Sequence, residues 1–194
     1  MDDRNEREFD VEVKPGFIVT MIGLVLVYAL FNVVATVRLG APVSFLQSLN
    51  WGASVTVLVL LGTMFHELGH VLAGVAAGHQ WTKAVLNGAG MGVVIEPKPR
   101  GWDRVLRSMA GPLAHFVFAL PLLAVAVSSL PAGLTNLAVA QSSIWWVAGA
   151  SSLFLAVFNL LPVPGFDGGK AMDGMRDVLG HRRAVVSGGR FVKT

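Results

Sequence analysis

Four long apolar runs alternate with polar segments along this chain. They cover residues of about 16–37, 52–78, 109–130 and 143–161, and the only Asp, Glu, Lys or Arg within them is Glu67. About 20 apolar residues cross the hydrocarbon layer of a bilayer as a helix, so each run is long enough to span it. The pattern therefore predicts an all-α integral membrane protein with about four transmembrane helices. Four helices buried in a soluble core are excluded, because too little polar sequence remains to cover them.

Composition supports this interpretation. Only 14% of the residues are charged, against roughly 25% in ordinary soluble domains. The first run is 22 residues long, which exceeds the 7–15 apolar residues of a signal peptide and favours a retained signal anchor. The chain has no cysteine, so any metal ion must be held by histidine and carboxylate side chains.

The basic residues indicate how the spans are oriented. Fourteen of the fifteen Lys and Arg residues lie before the first span, between the second and third, or after the fourth, and only Arg38 lies on the other side. The positive-inside rule makes the first of these faces cytoplasmic, with both termini on it. The net charge of +3 thus reflects membrane topology, and no nucleic-acid partner is expected. We expect a multi-pass protein of a bacterial or archaeal plasma membrane.

The polar segments divide the chain further. Residues 1–14 are interpreted as a cytoplasmic N-terminal tail, 15–170 as a membrane domain, and 171–194 as a cytoplasmic C-terminal segment with a helix starting near residue 168. Between the second and third spans, the β-prone runs 84–86 and 92–95 flank a glycine-rich stretch, 87–90. This pattern is typical of a hairpin, and a glycine-rich linker is the alternative.

The second span contains the sequence His66-Glu67-Leu68-Gly69-His70. Residues four apart share one face of a helix, so both imidazoles can reach one metal ion, with Glu67 beside it. The alternative to a metal site is a pair of buried histidines that hydrogen-bond to each other. A charged side chain near the centre of a membrane helix costs roughly 2.5–3.5 kcal/mol, and a bound cation would offset that cost. The motif therefore favours a metal site.

Catalytic zinc sites usually have three protein ligands, so a third one is needed. His79, His115, His181 and several carboxylates are available, and Asp167 stands out among them. It follows the fourth span in a stretch that contains Pro162, Pro164 and Gly165, where a helix should break and the chain can turn. Such a turn can direct the Asp167 carboxylate towards the second span. A turn-forming or helix-capping role is the alternative for Asp167, and Asp173 is a rival ligand.

Together these motifs resemble those of the site-2 protease family of intramembrane zinc metalloproteases. The family's Asn-x-x-Pro-x-x-x-x-Asp-Gly pattern is matched by Asn159, Pro162, Asp167 and Gly168, and residues 110–113 (Ala-Gly-Pro-Leu) are also similar to the family. The similarity covers roughly residues 55–175.

The resemblance implies a site and a reaction. It makes His66, His70 and Asp167 the ligands of one Zn²⁺ per chain, Glu67 the catalytic base and Asn159 a substrate-binding residue. The expected enzyme is a zinc metalloendopeptidase that hydrolyses peptide bonds of membrane-anchored proteins within the bilayer or near its cytoplasmic side, as in regulated intramembrane proteolysis. Its partners would be a transmembrane protein or peptide substrate, the lipid bilayer, and a second copy of the chain or a regulatory membrane protein.

One position departs from the family pattern. His115 stands where relatives often have Asn after the Gly-Pro pair. His115 is a candidate substrate-binding residue whose imidazole would make the hydrogen bonds of the family's Asn. The alternative is that His115 only packs between helices.

Three other functions are alternatives. A catalytically silent membrane protein that acts as a binding partner or chaperone would not need Glu67. A membrane metalloprotease of another lineage, with Glu as third ligand, would need a sizeable soluble domain. A transporter or channel would be expected to show duplicated halves or more polar spans, and none is found in the sequence.

Overall fold

The computed structural model describes residues 10–88, 90–96, 98–129 and 143–188. Within these ranges the chain forms five helices and three strands. The helices are α1 (Pro15–Arg38), α2 (Phe45–Ala76), α3 (Gly101–Ser128), α4 (Ile144–Asn159) and α5 (Asp167–Gly188). The strands are β1 (Asp10–Val13), β2 (Gln80–Asn87) and β3 (Gly90–Glu96). The protein is therefore mainly helical, with a small sheet.

In the part of the chain that the structure describes, three helices are long and apolar enough to cross a membrane, namely α1, α2 and α3, with 24, 32 and 28 residues. The α4 helix is apolar but has only 16 residues. Many large apolar side chains on these helices are exposed, among them Val19, Leu30 and Leu113. Such surfaces suit contact with lipid rather than water.

The helix α2 lies at the centre and packs against α1, α3 and α4. Its glycines allow close approach of neighbouring backbones. A Cβ at Gly52 would lie 2.7 Å from the Ala29 nitrogen of α1, and one at Gly69 would collide with the Ala110 carbonyl of α3. Small residues at helix contacts are typical of membrane proteins, where van der Waals packing replaces the hydrophobic effect between helices.

The β-prone segment between α2 and α3 is a hairpin, which confirms the first of the two interpretations. Strands β2 and β3 pair antiparallel, with Gln80 opposite Glu96 and Asn87 opposite Gly90. The sheet has the order β1-β2-β3, so β3 lies at one edge. That position matters for the site, because residues of β3 line the two cavities described below.

The strand β1 was not anticipated from the sequence. It lies in the segment interpreted as an N-terminal tail and pairs parallel with β2, with Asp10 opposite Lys83. The Lys83 amine lies 3.1 Å from the Asp10 carboxylate and 2.7 Å from that of Glu12. The Thr20 hydroxyl then donates to the Gly88 carbonyl oxygen, at 2.8 Å. The sheet thus ties the start of α1 to the hairpin.

Helix boundaries extend beyond the predicted spans. The helix α2 begins at Phe45 rather than near 52, and α3 begins at Gly101 rather than near 109. The helix α5 confirms the predicted helix after the fourth span and crosses the boundary drawn at residue 170. The end of the third span at residue 130 and the loop 131–141 lie outside the described residues.

Candidate metal centre and active site

The helix α2 places His66 and His70 on one face, as their spacing requires. Their Nε2 atoms lie 3.1 Å apart, and their rings meet edge to face with centroids 4.7 Å apart. His66 is buried and His70 nearly so. Two imidazoles therefore direct their outer nitrogens at one point inside the helix bundle.

A tight turn between α4 and α5 brings Asp167 to the same point. Gly165 has a φ of +96°, a conformation that glycine adopts at no steric cost. A Cβ at Gly168 would collide with the Leu160 carbonyl, and one at Gly169 with the Val163 carbonyl. The turn thus depends on small residues at these positions. It leaves Asp167 as the first residue of α5, with its carboxylate directed at α2.

The three side chains meet at short distances. Asp167 Oδ2 lies 2.9 Å from His66 Nε2 and 3.2 Å from His70 Nε2. The Nδ1–H group of His70 donates to the Arg107 carbonyl oxygen at 2.8 Å, which leaves a lone pair on Nε2 of the neutral ring. Lone pairs facing one another at such distances repel unless a proton or a cation lies among them. This donor set fits a divalent metal ion such as zinc.

The surroundings of Asp167 favour its charged form. Burial by itself raises the pKa of this carboxyl. When the Nε2 atoms of His66 and His70 carry protons instead of holding a metal ion, their hydrogen bonds to Asp167 outweigh that effect, so the pKa lies well below its usual range. The Lys170 amine lies 2.8 Å from Asp167 Oδ1 and acts in the same direction. A carboxylate that stays ionised inside a buried site is what a metal ligand requires.

Gly111 on α3 makes room for the imidazoles. A Cβ at this position would collide with the ring of His70 and lie 2.9 Å from His66 Nε2. Any larger residue would therefore displace the rings. Gly111 belongs to the Ala-Gly-Pro-Leu segment that resembles the family, but the sequence alone does not predict its contact with the histidines.

Glu67 lies beside the candidate metal centre. It offers a carboxylate oxygen within 4.8 Å of the ligand nitrogens of His66 and His70. This distance also allows Glu67 to be considered as the third ligand, but Asp167 lies closer to both imidazoles and is buried, with 4% of its side chain exposed. Glu67 instead lines both cavities next to the centre. It is thus free to face a substrate or water.

Two cavities reach the centre. The larger, about 650 Å³, lies between α1, α2 and α4 and is mainly apolar, with Tyr28, Phe154 and Leu155 among its lining residues. The smaller, about 290 Å³, lies between β3, the start of α3 and the turn before α5. Asn159 lines both, so it lies where the candidate substrate-binding role would place it.

His115 lines the larger cavity and is 1% exposed. Its ring lies 5.5 Å from that of His66, centroid to centroid. Neither of its nitrogens has a hydrogen-bond partner among the described residues. Both the packing role and the substrate-binding role remain consistent with this position.

Two of the other candidate ligands, His79 and Asp173, are paired with residues away from the centre. His79 Nε2 is 2.6 Å from Asp103 Oδ2, and Asp173 accepts hydrogen bonds from Arg104 and Arg176. The side chain of His181 lies outside the described residues. Of the proposed ligands, the structure thus brings together His66, His70 and Asp167.

Two residues at the site were missed from the sequence, Arg107 and Lys170. Arg107 contacts His70 through its backbone carbonyl oxygen. The order of side chains along the sequence does not predict a backbone contact of this kind. Lys170 stands three residues after Asp167 at the start of α5, so helical spacing is the signal that could have found it.

An apolar helical bundle that holds two histidines, a glutamate and an aspartate around one point is typical of a membrane metallohydrolase. The family model for "Peptidase M50B-like" proteins matches residues 24–163. The chain therefore belongs to the peptidase M50B-like family, whose members are metal-dependent peptidases, and it is a membrane metallopeptidase of that family.

The solved structures include a match as well. The site-2 protease from Methanocaldococcus jannaschii superposes with a TM-score of 0.57 at 19% sequence identity, over 94% of this chain and 69% of that one. Family and fold together confirm the resemblance to site-2 proteases. No curated protein sequence matches the chain.

Proposed function

We propose that this chain is an intramembrane zinc endopeptidase that hydrolyses peptide bonds of membrane-anchored substrates near the cytoplasmic side of the bilayer. The observation that carries the proposal is the convergence of His66, His70 and Asp167, with Glu67 beside them, among apolar helices. A purely structural role would not need a carboxylate that faces two cavities from a membrane helix.

In this proposal His66, His70 and Asp167 hold one zinc ion. A zinc ion so bound would supply Lewis acidity towards water and a peptide carbonyl. The hydrogen bond from His70 Nδ1 to the Arg107 carbonyl oxygen orients the ring and fixes its tautomer, which is the usual function of an outer partner of a metal-binding histidine. Lys170 holds the other oxygen of Asp167, which leaves Oδ2 directed at the imidazoles.

Glu67 is the acid–base residue. Its carboxylate takes a proton from the attacking water and later returns it to the leaving amine. It has no salt-bridge partner among the described residues, and its position in both cavities gives it access to water and to a substrate. Asn159 at the junction of the cavities would hold the substrate by hydrogen bonds from its amide, and His115 is a second candidate for this role.

The substrate must be unwound before it can be cut, because helical hydrogen bonds shield its peptide groups. The edge strand β3 can receive it as an added strand, with backbone hydrogen bonds that demand little of the substrate sequence. Met91, Gly92 and Val93 of β3 line the smaller cavity together with Glu67, which supports this route. The larger cavity has room for apolar side chains of the same substrate.

The arrangement in the membrane is part of the proposal. The α4 helix is taken as a fourth span, and both termini lie in the cytoplasm, as the distribution of Lys and Arg favours. Membrane-anchored regulators or leftover signal peptides are the substrates expected from the family resemblance.

Metal removal tests the proposal. Purified protein in liposomes should cut a single-span model substrate, lose activity after chelation, and regain it with about one zinc per chain. Chelator followed by magnesium is the matched control, since the nitrogen-rich donor set suits zinc better. Full zinc occupancy without cleavage of any single-span substrate tested would instead support the binding-protein alternative.

A further inference from the structure

The smaller cavity carries two cations beside the candidate catalytic residues. Arg107 of α3 and Lys170 of α5 both line it, and so do Glu67 and Asp167. Gly92 and Val93 of the edge strand complete its wall. Any substrate strand that lies along β3 therefore passes these two cations near the bond to be cut.

The guanidinium group of Arg107 has an unused donor. Its Nη1 atom is buried and has no hydrogen-bond partner among the described residues. Burying a charged donor without an acceptor is costly. An arginine in this state is thus suited to receive an acceptor from a ligand.

Three carboxylates near Arg107 are already paired, whereas Glu67, which lines the same cavity, has no salt-bridge partner among the described residues. Asp103 contacts His79 at 2.6 Å, and Asp173 accepts from Arg104 at 2.9 Å. Asp167 is shared by the two imidazoles and Lys170. None of these three carboxylates accepts a hydrogen bond from Arg107 in the part of the chain that the structure describes.

Lys170 adds a second positive charge. Its amine contacts Asp167 at 2.8 Å, and 49% of the side chain is exposed. An ammonium group has three donors, so one contact leaves others for a ligand. A carboxylate is the group that a guanidinium fork binds best, with two parallel hydrogen bonds.

We infer that the smaller cavity is a subsite for an acidic side chain of the substrate, with Arg107 as its main binding residue and Lys170 as its second. This inference rests on the proposed peptidase function and specifies which substrates the peptidase prefers. The enzyme favours substrates with Asp or Glu close to the scissile bond, on the segment that crosses the edge of β3.

A scan of matched substrates tests this subsite. A single-span substrate receives Asp or, in parallel, Asn at each position within five residues of the scissile bond. We expect kcat/KM for the Asp form to exceed that for the Asn form on the order of tenfold at one position, in line with a charge-assisted hydrogen bond. Most of the difference should lie in KM, because the contact is a binding contact.

Substitutions of arginine make the test specific. Arg107→Gln should bring the Asp/Asn ratio close to one, and Arg107→Glu should favour Lys at the same position. Neither change removes the backbone carbonyl that His70 uses, so zinc content should stay near one per chain. Arg104→Gln is the matched control, since Arg104 lies three residues away, pairs with Asp173 and does not line the cavity. It should keep the preference.

Binding measured without cleavage separates this inference from the proposed function. Glu67→Gln protein should bind the Asp substrate about tenfold more tightly than the Asn substrate, and the added Arg107→Gln should abolish the difference. Cleavage with equal rates for Asp and Asn at every position would overturn the subsite and leave the peptidase intact. Equal loss of preference in the Arg104 and Arg107 variants would also overturn it. Failure to cleave any substrate would overturn both proposals.

Discussion

At the scale of single residues, the proposed metal centre depends on contacts between distant parts of the chain. His66 and His70 lie one helical turn apart, whereas Asp167 follows His70 by 97 positions. Asp167 is held by the turn at Gly165, the start of α5 and Lys170. A change at any of these points should therefore appear first in metal affinity.

Loss of the Asp167 carboxylate should release the metal. Asp167→Asn keeps the shape of the side chain but removes the charge, so we expect zinc affinity to fall by at least about a hundredfold, since even outer partners of metal ligands are worth 10–100-fold. Zinc content after dialysis against a weak chelator measures this. Asp173→Asn is the control and should retain about one zinc per chain, because Asp173 pairs with arginines away from the centre.

Added bulk at Gly111 should have a similar effect by another route. The Cβ of Gly111→Ala would collide with the His70 ring, so the two imidazoles can no longer meet and zinc occupancy should fall well below one. Gly23→Ala is the matched control on α1, where a Cβ meets nothing within 4 Å. Equal zinc content in both variants would contradict the described packing of α3 against α2.

The sequence predicted part of this site for clear reasons. His66, Glu67 and His70 are recognisable because their spacing is local, and Asp167 because prolines and glycines surround it. The contacts of Gly111 and of the Arg107 carbonyl depend on how α3 packs against α2. No periodicity within either helix contains that information.

At the scale of elements, the small sheet links the N-terminus to the active site. The strand β1 pairs with β2, and β3 runs past the smaller cavity. The hairpin could be predicted because two β-prone runs flank a short glycine-rich turn. The strand β1 could not, because its four residues acquire a partner only through parallel pairing with residues 83–86. The hydrophobic pattern does not predict the starts of α2 and α3, because the first turns of both helices precede the apolar runs.

Disrupting β3 should reduce cleavage without loss of metal. Proline cannot donate a backbone hydrogen bond in a strand, so Val93→Pro should lower the rate at least about tenfold if a substrate adds to this edge. Zinc content should stay near one per chain. Val93→Ala, which keeps the backbone donor, is the control and should retain most of the activity. Unchanged cleavage by the proline variant would remove strand addition from the account.

At the scale of the whole molecule, α1 is the least enclosed of the three long helices, and almost none of its apolar stretch is buried. It closes one side of the larger cavity, where the Tyr28 hydroxyl donates to Ser151 of α4 at 3.0 Å. The apolar exterior and the metal centre within it define a membrane metallopeptidase. The number of spans and their orientation are predictions that need a separate test.

Because the chain has no cysteine, single cysteines can report the orientation directly. A membrane-impermeant maleimide should label Ala41→Cys, between α1 and α2, from outside intact cells. It should label Lys98→Cys, between β3 and α3, only after permeabilisation. Both positions are exposed. Labelling of Lys98→Cys in intact cells would invert the proposed topology.

The central claim is that Glu67 performs acid–base catalysis at a zinc centre held by His66, His70 and Asp167. Cleavage of a single-span substrate in liposomes by the unmodified protein and by Glu67→Gln, with zinc measured in both, tests it most directly. The account predicts about one zinc per chain in each protein and a rate at least about a hundredfold lower in the variant, in line with the usual contribution of general acid–base catalysis. Equal cleavage by both proteins, or the absence of zinc from both, would contradict it.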